Sequence, residues 1–141
     1  MEGRSLYVVT ALQMIAVALV LWLLFSRPGP WDWQRCAGAA LVVTGIAGVV
    51  TARYQLGKSF AIKAQAHELV THGIYSKIRN PIYVFGAVAM TGFALVLHRP
   101  VFWLILAAIA VLQILRARRE AKVLEAAFGD AYREYRRQTW F

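Results

Sequence analysis

Four stretches of this 141-residue chain carry no Asp, Glu, Lys or Arg: residues 5–26, 36–52, 81–97 and 100–115. The hydrocarbon core of a bilayer asks for about 20 helical residues. The first stretch meets that unaided, and the others reach it by drawing in flanking Arg and Tyr side chains, whose polar tips snorkel to the interface. The pattern predicts four transmembrane helices over about residues 5–26, 36–53, 81–97 and 100–116. The expected fold is an all-α integral membrane protein, with a cytoplasmic C-terminal helix extending the last span. No polar linker is long enough to separate two domains, so residues 1–141 read as one. The first apolar run exceeds the roughly 7–15 residues of a signal-peptide core and no small-x-small cleavage site stands at its end before Arg27-Pro28-Gly29-Pro30, so it is expected to stay attached.

The connections refine this picture. Spans three and four are joined by His98, Arg99 and Pro100 alone, which predicts an antiparallel helical hairpin. Gly38, Gly45 and Gly48 give span two a small-residue face for close packing. Residues 27–33, RPGPWDW, read as a turn anchored at the bilayer interface by its tryptophans. The loop over residues 53–80 is too long for a turn and mixes basic residues with Phe60, Ile62, Leu69, Val70 and Ile74, so it lies on the membrane surface or folds back over the bundle. Pro81 suits the first turn of span three, with Asn80 placed to cap it. Beyond span four, Ala117, Ala121, Leu124 and Phe128 continue the helical spacing, with Arg118, Arg119, Lys122 and Glu125 on other faces. Gly129 is a stop, and Asp130 is placed to cap a last turn bearing Tyr132 and Tyr135.

Composition adds orientation. The chain is 60% hydrophobic yet carries a net charge of +9, which fits a membrane protein with its charges in loops. Arg4, five residues of the central loop and seven after the last span make 13 of the 16 Lys and Arg on one side. Both termini are therefore expected in the cytoplasm, in a bacterial inner membrane or its equivalent. This asymmetry accounts for the basic excess, and no nucleic-acid partner is expected. Cys36 is the only cysteine, which excludes an intramolecular disulfide. His67 and His72 lie in the loop and His98 on the opposite side, so no metal site is expected. Gln13 and Gln113 read as interhelical hydrogen-bonding residues. Lys63, Arg133, Arg136 and Arg137 read as contacts to anionic lipid head groups. None of the spans holds the carboxylate that an ion-coupled transporter would need.

Two polar segments remain for specific chemistry: residues 69–83, LVTHGIYSKIRNPIY, and residues 116–135, RARREAKVLEAAFGDAYREY. Their ordered motifs, G-I-Y-S-K-I-R-N-P-I-Y at 73–83 and R-E-x-x-x-L-x-x-x-F-G-x-x-Y-x-x-Y at 119–135, resemble the isoprenylcysteine carboxyl methyltransferase family, which is related to membrane phospholipid methyltransferases. The resemblance implies a membrane enzyme that uses S-adenosylmethionine without a Rossmann domain, and the chain indeed has no G-x-G-x-x-G. Carried over by position, it implies Tyr75, Arg79, Asn80, Pro81, Tyr83, Glu120, Leu124 and Tyr132 as cofactor-binding residues, with Phe128, Gly129 and Tyr135 completing the second motif. Glu120 and, by its position at the end of span four rather than by the motif, Arg116 are the candidate catalytic residues. Asn80 stands where the family commonly has His, and Ala121 where it has a second acidic residue, which leaves Glu120 as the acidic group of that half-motif.

These residue types suit the ligand. Tyrosine faces hold a sulfonium by cation–π attraction, Arg79 or Arg116 pairs with a carboxylate, and Glu120 accepts from a ribose hydroxyl or an ammonium. Methyl transfer is an in-line displacement, in which alignment and exclusion of water supply much of the acceleration. Arg116, at the end of span four, is placed to orient an anionic acceptor. The expected partners are membrane lipids and a lipophilic or small-molecule methyl acceptor, a lipophilic one entering sideways through the bilayer.

Overall fold

The computed structural model describes residues 2–56 and 69–141, without the side chains of residues 2–10, 12 and 13. Among them run α1 (Glu2–Ser26), α2 (Trp33–Leu56), a 3₁₀ turn (Gly73–Ser76), α3 (Pro81–Leu97), α4 (Val101–Phe128) and α5 (Asp130–Gln138), with no strand. Phe60, Ile62, Lys63 and His67 lie outside the described residues, as does the side chain of Gln13.

α2 and α4 are long and apolar enough to cross a membrane by length and composition, whereas α3 is apolar but has 17 residues. Large apolar side chains point outward along α1 and α4, among them Trp22, Leu104 and Leu112, at 63%, 73% and 64% exposure. Outward-facing aliphatic and aromatic surface of this extent suits a lipid environment rather than water.

α2 begins three residues earlier than the charge-free stretch predicted. Asp32 caps it, its Oδ1 accepting from Arg35 N at 2.8 Å and its carbonyl from Cys36 N at 3.0 Å, so Trp33 belongs to the helix rather than the turn. Arg35 is buried, and its guanidinium donates to the carbonyls of Leu24, Arg27 and Gly29 at 3.1, 2.7 and 3.0 Å. It also lies over the Trp31 ring at 4.3 Å. The side chain thus satisfies carbonyls that the C-terminal end of α1 leaves open. The tight turn between α3 and α4 sits at the same end of the bundle. There His98, in the left-handed region at φ 52°, places Nε2 3.2 Å from Asp32 Oδ2.

The small-residue face of α2 packs on α3 as expected. A Cβ at Gly45 would sit 2.7 Å from that of Ala89 and closer still to its backbone nitrogen, so the two backbones touch where only glycine fits. Leu24, Val42 and Val96 fill the adjoining core.

α4 runs unbroken for 28 residues, through the last apolar span and the second polar segment, until Gly129 (φ 53°) turns the chain into α5. The sequence anticipated that continuation and that stop. Asp130 is the first residue of α5 and binds Arg133 at 2.8 Å, while Gly129 occupies the cap position. The C-terminal return was not anticipated. Trp140 N donates to Lys77 O at 3.0 Å, Arg79 N to Trp140 O at 3.2 Å and Asn80 N to Phe141 O at 2.9 Å. The chain end is thereby fastened alongside the first polar segment.

Candidate active site

The antiparallel α3–α4 hairpin brings the two motifs together. Tyr83 lies in the first turn of α3 and Glu120 near the end of α4, and the Tyr83 hydroxyl donates to Glu120 Oε1 at 2.6 Å. Arg116, one turn back on α4, places Nε 3.4 Å from the same oxygen. The Arg116 side chain is 67% exposed and that of Glu120 23%, so a carboxylate within the site is paired with a cation at its mouth.

Three further phenols belong to the same cluster, Tyr75 and Tyr132 near the carboxylate and Tyr135 beside them. Tyr75, in the 3₁₀ turn, and Tyr132 and Tyr135, one turn apart on α5, are all buried. The Tyr135 hydroxyl donates to the Tyr75 carbonyl at 2.7 Å, and the Tyr132 and Tyr135 rings lie 6.3 Å apart. Burial, then the proximity of Tyr135 and Glu120, pushes the Tyr75 phenol well above its usual value near 10. Burial likewise pushes Tyr135 up to about 12, with Tyr132 adding and Arg79 opposing. Tyr132 is raised by burial, against the pull of Arg79 and Arg136. These influences place Arg79 near Tyr132 and Tyr135, and Glu120 near Tyr75 and Tyr132. All three phenols are therefore neutral at neutral pH.

The remaining expected residues are close by. Pro81 is buried at the first position of α3. Asn80 precedes it but makes no capping bond with its side chain; its carbonyl instead accepts from Tyr83 N and Val84 N at 3.0 and 3.1 Å. Leu124 is half-buried one turn beyond Glu120. Arg133 and Arg137, read from the sequence as lipid contacts, pair with Glu125, Asp130 and Glu134.

Tyr83 also lines an apolar pocket of about 460 Å³, walled by α3 and α4, touched by Leu41 of α2 and bordered by Trp140 and Phe141. Val84, Ala87, Val88 and Ala110 line it. Gln113 also lines it, near Gly86, and makes no hydrogen bond among the described residues, so the interhelical bond expected of it is not formed. Thr91 donates its hydroxyl to Ala87 O within α3. Sequence reasoning missed this pocket, because its walls are ordinary span residues whose facing sides only the hairpin register defines. It also missed Trp140 and Phe141, which carried no signal beyond being aromatic.

Tyr83 thus takes part both in a polar, charged side-chain cluster and in the lining of an apolar pocket. Such a site can hold a charged ligand on one side and a hydrocarbon on the other, with the polar end of each beside the Tyr83–Glu120 pair. The phospholipid methyltransferase family model matches residues 33–131 of the chain. The chain belongs to this family. Membership makes it a membrane methyltransferase acting on lipid-like acceptors, and the match covers α2 to the start of α5, with the whole of the first polar motif and the second as far as Ala131. α2 therefore falls within the family region, although the motif resemblance began only after it. No curated protein and no solved structure matches the chain significantly.

Proposed function

We propose that this protein transfers a methyl group from S-adenosylmethionine to a lipophilic acceptor, in the manner of the isoprenylcysteine carboxyl methyltransferases, as a single four-span domain with both termini in the cytoplasm. The observation that carries the reading is the Tyr83–Glu120–Arg116 constellation, set between a cluster of phenols and guanidinium groups and an apolar pocket.

The donor set fits the cofactor. Arg79, near Tyr132 and Tyr135, suits its carboxylate. Glu120 suits its ribose hydroxyls or ammonium, and the neutral Tyr75, Tyr83 and Tyr132 rings suit a cationic centre. Pro81 and Leu124 provide apolar packing, and the backbone about Asn80 is fixed by the C-terminal return. When bound, the cofactor supplies an electrophilic methyl group on a sulfonium. The protein supplies alignment and dryness: Tyr83 and Glu120 fix the boundary between the cluster and the pocket, the buried tyrosines exclude water, and Arg116 holds an anionic acceptor near the boundary. An acceptor that arrives already ionised needs no base, so the absence of a titrating group at Asn80 is no obstacle.

A second reading, a phospholipid amine as acceptor, is favoured by the family to which the chain belongs. It shares the cofactor-binding residues and differs in what fills the apolar pocket and in requiring the ammonium to give up a proton before it can accept the methyl group.

Calorimetric titration of the detergent-purified protein with S-adenosylmethionine and S-adenosylhomocysteine tests the proposal. Binding by the wild type, weakened by Glu120→Gln and Tyr83→Ala, is expected. Folded wild type that binds neither would overturn it.

A further inference from the structure

The 3₁₀ turn that carries Tyr75 is held from two sides by elements distant in sequence. On one side Tyr135 of α5 donates to the Tyr75 carbonyl at 2.7 Å, a buried bond spanning 60 residues. On the other, Gln55, near the end of α2, accepts a 2.7 Å hydrogen bond from Ile74 N through its side-chain Oε1. Gly73 makes the second contact possible twice over. Its φ of +60° is one that side-chain-bearing residues rarely adopt, and a Cβ there would run into the Gln55 amide group.

We infer that Gln55 is a positioning residue for the cofactor site, clamping the Gly73–Ser76 turn so that Tyr75 faces the Glu120 cluster. This rests on the methyltransferase reading above. The physical case is one of degrees of freedom. The turn is a single stretch of four residues, too short to hold its own conformation. Within it the Lys77 and Ile78 amides both donate to Ile74 O, at 3.2 and 3.1 Å, while the Ile74 amide is left to an outside partner. Gln55 is that partner. Without it, the turn keeps the Tyr135 bond and, just beyond its end, the backbone bonds of Lys77 and Arg79 with Trp140, but its first half loses its anchor to α2. The Tyr75 ring follows directly on that freed half, and it lies close enough to Glu120 for that charge to act on its phenol. A displacement of about 1 Å in a positioning group can cost ~100-fold in a reaction whose rate depends on alignment. The clamp also gives α2 a part in a site whose proposed ligand-binding residues all come from the second half of the chain.

The test uses the full chain in detergent, with Gln55→Leu, which removes the acceptor at similar size, and Gln55→Glu, which retains an acceptor oxygen. Two quantities are measured: S-adenosylhomocysteine affinity by calorimetry, and amide hydrogen exchange of the segment covering residues 73–76 without ligand. Expected for Gln55→Leu are faster exchange confined to that segment, an unchanged melting temperature and affinity at least tenfold weaker, with both recovered in Gln55→Glu. Faster exchange with wild-type affinity would overturn the inference, leaving the bond merely structural. Weaker affinity without faster exchange would overturn it too, because the loss would not pass through the turn. Absence of binding by folded wild type would overturn the cofactor reading itself, and the inference with it.

Discussion

The Tyr83 hydroxyl and the Glu120 carboxylate, 37 residues apart, meet at 2.6 Å across the α3–α4 hairpin. That bond joins the first polar motif to the second and marks the boundary between the charged cluster and the apolar pocket. Tyr83→Phe removes the donor and keeps the ring, whereas Glu120→Gln keeps a hydrogen-bonding group and removes the charge. A hydrogen bond to a charged group is worth about 1.5–3 kcal/mol. If Glu120 binds the cofactor directly, Glu120→Gln weakens S-adenosylhomocysteine binding about 10- to 100-fold, and Tyr83→Phe weakens it less. Calorimetry on both variants measures the ratio, and equal losses would show that the bond matters more than the charge.

Arg116 separates function from stability. Its ion pair with Glu120 is largely exposed on the Arg side, and exposed pairs contribute about 0–1 kcal/mol. Arg116→Ala is expected to leave the melting temperature within a degree or two while lowering methyl transfer at least tenfold. Parallel melting curves and radiolabel transfer assays check both halves.

Packing between α2 and α3 depends on Gly45. Gly45→Val drives a branched side chain into the Ala89 backbone, and overpacking of this kind costs about 1–3 kcal/mol. A lowered thermal midpoint is expected, accompanied by weaker cofactor binding because α3 carries Tyr83. Ala107→Val, on an exposed part of α4, should leave the midpoint unchanged.

Alkaline pH should unfold the site before the rest of the chain. Tyr75, Tyr132 and Tyr135 all have raised values, that of Tyr135 up to about 12. A phenol that ionises later in the folded state than in the unfolded one favours folding fully below the unfolded value near 10. That stability is lost as pH rises through the folded value. Stability should therefore hold flat from pH 7 to 9 and fall between about pH 10 and 12. Tyrosinate absorbance recorded alongside circular dichroism tests this, with ionisation of the buried tyrosines expected to coincide with unfolding.

The apolar pocket predicts a substitution that spares the cofactor. Ala87→Phe fills the space between α3 and α4. Transfer to a lipophilic acceptor should fall at least tenfold, with S-adenosylhomocysteine affinity within twofold of wild type. Turnover that survives the substitution would place the acceptor elsewhere.

Much of the helical scaffold was legible because it follows from local rules. The charge-free stretches, the three-residue hairpin link and the glycine stop at 129 are each readable within a few residues. The early start of α2 was missed because it hinges on the Asp32 cap, one side-chain bond in a segment that otherwise reads as a turn. Gln55 was invisible for a related reason. A glutamine at the end of an apolar helix has no local signature, and its partner lies 19 residues away.

The sequence by itself determined where the chain is apolar enough for helix in lipid, where its charges collect, and which two motifs carry tyrosine, arginine and glutamate. Those are properties of composition and spacing, which hydrophobicity and helical periodicity translate directly. Only the tertiary structure decided that Tyr83 reaches Glu120, that Tyr75 is pinned between Gln55 and Tyr135, and that residues 140–141 border a pocket between α3 and α4. Those are contacts between residues distant along the chain, fixed by the register of one helix against another, and helix register is set by packing across the whole interface rather than by any local pattern.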